Sequence, residues 1–263
     1  GEEQRNVLHQ FSRNELAIGR EGLEALRQST AAVLGIGGVG SFAAEALARS
    51  GIGRLILIDK DVVDITNINR QIHALMSTIG QPKADLMKER IRQINPACEV
   101  IALKMFYTEE TCEDVFAHAP IDYFLDASDT VTYKIHLIKE CLRRGIPVIS
   151  SMGAANKMDP TRLRVADISE TCMDPIARVV RKKLREAGIR RGVKVVFSTE
   201  VPIKPRADVT AQIVPENAPA IRKAQMPPSS NAFVPSVAGL IMAGVVVRDI
   251  LDKHGVDIPR GPH

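Results

Sequence analysis

The chain has 263 residues, 45% apolar and 25% charged, and 35 Lys and Arg against 31 Asp and Glu leave a net charge of +4. This suits one large α/β domain, or a domain with appendages, that buries a substantial core. The four cysteines (Cys98, Cys112, Cys141, Cys172) are scattered with no CxxC pair, which argues against a zinc site and a disulfide framework. The N-terminus lacks a charged-then-apolar signal pattern. The longest apolar stretch, around residues 233–247, contains Pro235 and Ser236 and falls short of the roughly 20 residues that span a bilayer. The expectation is a soluble, cytoplasmic protein with no membrane partner.

In chain order, residues 1–30 read as an N-terminal helical arm. The apolar run 31–34 leads into Gly35-Ile36-Gly37-Gly38-Val39-Gly40-Ser41, then a helical segment at 42–49. A second apolar run, 55–58, ends on Asp59, nineteen residues after Gly40. Strand, glycine turn, helix, strand and terminal acid make a nucleotide-binding βαβ unit. The glycines let the backbone approach phosphates, the helix N-terminus supplies N–H donors, and the acid accepts from ribose hydroxyls.

Further on, Ala84, Met87, Ile91 and Ile94 share one helical face, with Pro82 suited to the first turn. Residues 99–103 and 123–126 read as strands, 130–142 as a helix with Cys141 in its core, and 146–150 as a buried strand. The alternation over residues 31–150 predicts an α/β fold with a doubly wound, mainly parallel sheet. Residues 31–155 are assigned to a Rossmann-like core and 156–263 to a smaller C-terminal region. In that region 163–168 and 193–197 read as strands, Asp174 as the cap of a helix starting at Pro175, 202–231 as a long loop, and 234–251 as a buried helix.

A lone glycine fingerprint is equally at home with a dinucleotide. The motifs downstream of it are more specific: Asp59-Lys60-Asp61, Asn67-Ile68-Asn69-Arg70-Gln71, Gly80-Gln81-Pro82-Lys83, and Asp126-Ala127-Ser128-Asp129. In this ordered set the chain resembles the E1-like adenylyltransferases, the ubiquitin-activating and sulfur-carrier-activating enzymes. The resemblance covers residues 10–155 and the final helix, and it implies ATP and Mg2+ as cofactors. Activating a carboxylate with ATP means attack on the α-phosphate, so the site must stabilise a crowded polyphosphate. Arginine offers a fork, lysine a point charge, and a carboxylate can hold magnesium.

By resemblance Gly37, Gly38 and Gly40 cradle phosphate, Asp59 holds the ribose beside Asp61, and Asn67, Arg70, Gln71 and Lys83 contact the nucleotide. Asp129 is the metal ligand. Arg13 reaches across a homodimer to the partner's ATP. Each has a blander reading: Asp59 capping the next turn, Asp129 capping the helix from Thr130, Arg13 simply solvated.

The departures from that family decide which carboxylate is activated. There are no zinc-binding CxxC pairs, and 263 residues leave no room for a catalytic-cysteine domain. Cys172 lies roughly where a thioester cysteine might occur, but acidic Glu170 and Asp174 beside it read against a reactive thiol. Instead, residues 178–194 read as a basic helix holding Arg178, Arg181, Lys182, Lys183, Arg185, Arg190, Arg191 and Lys194 against the single acid Glu186, with Ile176, Val179, Val180 and Leu184 on one apolar face. This suits a phosphate backbone read mainly by charge and shape.

The stretches 151–157, 174–177 and 227–235 resemble the tRNA threonylcarbamoyladenosine dehydratases. That resemblance implies ATP-dependent activation of a threonyl carboxylate on a modified tRNA adenosine, with Arg178, Arg181, Lys182, Arg185, Arg190 and Arg191 facing tRNA. The activated acyl group then cyclises within one nucleoside, where proximity replaces a thioester. A sulfur-carrier adenylyltransferase without zinc and a non-adenylating nucleotide-binding scaffold stay open, as does a cysteine desulfurase-type partner.

Overall fold

The computed structural model describes residues 7–213 and 227–262. The elements in order are α1 (Ser12–Arg27), β1 (Thr30–Leu34), α2 (Gly40–Ser50), β2 (Arg54–Ile58), α3 (Lys83–Ile94), β3 (Glu99–Leu103), α4 (Cys112–Phe116) and β4 (Tyr123–Asp126). They continue with α5 (Val131–Arg144), β5 (Val148–Ser151), β6 (Leu163–Asp167), α6 (Pro175–Glu186), β7 (Lys194–Ser198), α7 (Ala207–Ile213) and α8 (Val234–Lys253). One seven-stranded sheet runs β3-β2-β1-β4-β5-β7-β6, parallel throughout except where β6 lies antiparallel on β7. The doubly wound α/β reading holds, and β7 and β6 extend the same sheet beyond residue 155.

Strands β1, β4 and β5 are buried at every residue, as expected for apolar runs covered on both faces. Alternate residues divide between two cores. Ala31 and Val33 pack with α2, α3 and α8, whereas Ala32 and Leu34 pack with α4 and α5. A third cluster joins α5, α6 and β7. Connections change direction between β1 and β4, so the ends of those neighbouring strands open a crevice.

Four expectations need correction. The 202–231 loop contains α7, and residues 214–226 lie outside the described residues. The basic helix stops at Glu186, because Ala187 caps it and Gly188 turns out of the helix with φ of +82°. Arg190 and Arg191 therefore come after the helix, and Lys194 begins β7 and pairs with Asp249 at 2.9 Å. Val179, assigned to the apolar face of that helix, is exposed, and the buried face is Ala177, Val180 and Leu184.

Finally, α8 is longer than the apolar stretch suggested. Its 20 residues are enough to cross a membrane by length and composition, yet it lies in the core. A Cβ on Gly239 would fall 2.2 Å from the Val39 carbonyl oxygen, so α8 packs directly on the end of the glycine loop.

Candidate nucleotide site

The crevice deepens into a cavity of about 1400 Å³. This exceeds the roughly 300–1,000 Å³ of a small-ligand pocket, so it has room for a nucleotide and part of a second substrate. Its inner wall is the glycine loop. Gly35 leaves β1 with φ of +89°, and a Cβ there would lie 2.7 Å from the Ala127 carbonyl oxygen. Gly37 and Gly38 line the cavity; Gly40 does not. A Cβ on Gly40 would sit 1.6 Å from the Gly35 carbonyl oxygen, so Gly40 is demanded by closure of the loop on itself, not by a ligand.

Asp59 and Asp61 line the cavity beside this loop. Asp59 Oδ2 accepts the Ile36 N–H and Oδ1 accepts the Asp61 N–H, each at 2.7 Å. Burial raises the Asp59 pKa above the usual carboxylate value, against the pull of both N–H bonds and the Lys83 charge. Asp61 pairs with Lys60 at 3.1 Å, and the Lys60 ammonium lies 4.0 Å from the centroid of the Phe106 ring at the cavity rim.

The 67–71 motif divides differently from expectation. Asn67 is buried and outside the cavity lining, with its Oδ1 accepting the Asp64 N–H at 2.8 Å in a reciprocal cap. Asn69 lines the cavity instead and donates to the Ser230 carbonyl at 3.2 Å. Arg70 is anchored through Nη1 alone, to the Thr66 carbonyl at 2.7 Å and Asn69 Oδ1 at 3.0 Å, leaving Nε and Nη2 without a partner among the described residues. Gln71 is buried against the loop, and its Oε1 has no hydrogen-bond partner among them.

Lys83, at the start of α3, is only 6% exposed and lines the cavity, yet its ammonium makes no hydrogen bond or ion pair with described residues. Asp129 is an exposed lining residue just after β4. It does not cap α5: Thr130 occupies that position, without a side-chain cap bond. Arg70, Lys83 and Asp129 thus face one cavity, two cations and one anion with no ion-pair partner among the described residues. Arg13 is exposed on α1 and contributes nothing to the cavity lining of its own chain.

Sequence reasoning missed the supports behind this wall. Asp126, at the end of β4, is fully buried and pairs with Lys134 at 3.2 Å. It also accepts from Ser150 Oγ at 2.6 Å and Ser128 Oγ at 2.7 Å, while Lys134 donates to the Ser151 carbonyl at 2.6 Å. A second buried pair, Lys157 with Asp174 at 3.1 Å, joins the outer wall to the start of α6. Asp174 Oδ1 accepts from Ile176 and Ala177, so the expected helix cap is present. Cys172 is exposed and lies outside the cavity lining.

Asn156, at φ of +57°, ties three segments together. It accepts from Ser229 N at 2.8 Å, and its backbone bonds Ser229 and Ile203. The signal for Lys134 was present in the sequence: it falls on the buried row of α5 with Leu137, Ile138 and Cys141.

Of the six residues assigned to tRNA, Arg178, Lys182, Arg185, Arg190 and Arg191 are exposed. Arg181 is half-buried and spends Nη1 on Thr171, donating to its carbonyl at 3.0 Å and its hydroxyl at 2.6 Å.

The ThiF family model matches residues 11–259. The chain is 71% identical over 245 residues to the tRNA threonylcarbamoyladenosine dehydratase of Bacillus subtilis, covering 93% of this chain and 96% of that one. It is 43% identical over 199 residues to the Escherichia coli protein of the same name, covering 73% and 74%. A crystal structure of E. coli tRNA N6-threonylcarbamoyladenosine dehydratase in complex with ATP superposes with a TM-score of 0.81 at 35% identity, covering 94% of this chain and 95% of that one. The chain belongs to the ThiF family.

Proposed function

We propose that the chain is an ATP-dependent tRNA threonylcarbamoyladenosine dehydratase. The observation that carries this is the shared cavity, where Arg70, Lys83 and Asp129, none of them in an ion pair with a described residue, face a glycine loop and Asp174 on the outer wall starts the basic helix. The 71% identity to a dehydratase of that name, over nearly the full length of both chains, supports it. ATP would lie along the glycine loop with its ribose on Asp59, its phosphates toward Arg70 and Lys83, and Gln71 in the cavity wall beside Gly37. Asn69, which lines the cavity, would reach it in place of Asn67, which does not.

Among the described residues no group of three or more His, Cys, Asp or Glu could enclose a metal ion. Magnesium usually takes one or two carboxylates plus substrate phosphates, and Asp129 alone fits that need. There the ion would neutralise charge on the departing pyrophosphate.

A threonyl carboxylate oxygen attacks the α-phosphorus, and the bond to the bridging oxygen of pyrophosphate breaks. Arg70 and Lys83 stabilise the charge gathered there. A nitrogen of the same nucleoside then attacks the acyl carbon, loses its proton, and displaces AMP. The carboxylate oxygen leaves on AMP, so the nucleoside has lost one water and gained a ring. The buried pairs hold the cavity walls while both steps proceed.

The tRNA backbone would lie on Arg178, Lys182, Arg185, Arg190 and Arg191, with Arg181 holding the helix to Thr171. A homodimer would bring Arg13 to the partner's nucleotide, and the cytoplasm would supply ATP and tRNA. Pyrophosphate release with magnesium-ATP tests the reading. Release dependent on tRNA carrying the threonylcarbamoyl group is expected. Release with a small carrier protein instead would move the assignment to a sulfur-carrier adenylyltransferase, and none with either would leave a nucleotide-binding scaffold.

A further inference from the structure

Two buried side-chain polar atoms among the described residues lack a hydrogen-bond partner, Gln71 Oε1 and His73 Nδ1. Gln71 lines the cavity against Gly37, whereas His73 sits behind the glycine loop. His73 is 4% exposed and lies outside the cavity lining, so it cannot touch a ligand there directly. Its Nε2 is 2.7 Å from the Ile36 carbonyl oxygen. A carbonyl only accepts, so Nε2 carries the ring proton and Nδ1 presents a bare lone pair to the interior. Burial pushes the His73 pKa down to about 4, which keeps the ring in this neutral tautomer.

The contact matters because of which peptide it holds. The Ile36 N–H is already taken by Asp59 Oδ2 at 2.7 Å. His73 grips the other side of the same residue, the carbonyl of the Ile36–Gly37 peptide. In a trans peptide the C=O and the next N–H point in opposite directions. Drawing the Ile36 oxygen toward His73, behind the loop, therefore turns the Gly37 N–H away from His73. Gly37 lines the cavity, and its N–H has no acceptor among the described residues.

We propose that His73 is a positioning residue for the nucleotide: its Nε2–H fixes the Ile36–Gly37 peptide and so aims the Gly37 N–H at a phosphate oxygen. This rests on the reading that the cavity binds ATP. Asp59 and His73 then act as a pair, one reaching the nucleotide and both setting the first peptide of the loop. The imidazole exchanges no proton with substrate.

The experiment measures ATP binding by calorimetry without tRNA, together with steady-state KM and kcat, for the intact protein and for His73→Ala and His73→Gln. Glutamine retains an N–H donor near the position of Nε2. His73→Ala is expected to weaken ATP binding and raise KM for ATP about tenfold, the size of one lost hydrogen bond, with kcat and KM for tRNA within about twofold. His73→Gln should recover most of the loss. Unchanged ATP binding in His73→Ala would overturn the proposal. So would an equal fall in kcat and in affinity for both substrates with no recovery by glutamine, which marks a merely structural role. If the unaltered protein bound no ATP, the reading of the cavity would fail instead, and the two failures are separable.

Discussion

The buried neutral imidazole of His73 should also give the protein a measurable pH dependence of stability. The unfolded chain returns the ring to an ordinary value near 6.5, whereas the folded protein holds it down to about 4. A depressed folded pKa contributes stability that is present above the unfolded value and lost as pH falls below it, because only the unfolded state then takes up the proton. Between about pH 7.5 and about pH 5 this one group should remove about 2 kcal/mol, approaching 3 kcal/mol near pH 4. Asp59, with its raised pKa, works in the opposite sense, and carboxylates with lowered pKa such as Glu140, held down to about 2 by Arg143, matter at lower pH. The clean quantity is therefore the difference between the unaltered protein and His73→Gln, taken from urea unfolding at matched pH values. The difference should shrink as pH falls. Parallel stability curves for the two proteins over that range would refute the reasoning.

Packing and charge set three other outcomes. Lys157→Met strands the fully buried Asp174 carboxylate and should cost about 3–5 kcal/mol in urea unfolding, while Lys157→Met with Asp174→Asn recovers part of it. Gly239→Ala forces a methyl group against the Val39 carbonyl and should cost about 1–3 kcal/mol, with weaker ATP binding because the loop end moves. Changing exposed Arg178, Lys182 and Arg185 together to Glu should flatten the salt dependence of tRNA binding by about 2 logarithmic units per decade, whereas Arg181→Gln should lower stability and leave the slope alone.

What the sequence disclosed best was local. The strand, glycine turn, helix and terminal acid of residues 31–59 are fixed by neighbours in the chain, and each appears where the pattern put it. The Asp174 cap was legible for the same reason. The end of the basic helix was also written in the chain, as Ala187-Gly188, and counting positive charge read straight through it. Asn67 and Asn69 could not be separated by spacing alone, because Asp64 decides which one turns inward. The buried pairs Asp126–Lys134 and Lys157–Asp174 join residues that the sheet topology brings together. A lysine on an apolar helix row hinted at the first; nothing local announced the second.

The central claim is that this cavity closes a ring on a tRNA nucleoside at the expense of ATP. Its most direct test is mass spectrometry of nucleosides from tRNA bearing N6-threonylcarbamoyladenosine, incubated with the protein and magnesium-ATP under conditions that preserve the product. The account predicts a modified adenosine lighter by one water, formed with one AMP per nucleoside and abolished by Arg70→Ala. An unchanged nucleoside with ATP intact, or a product formed without ATP, would contradict it.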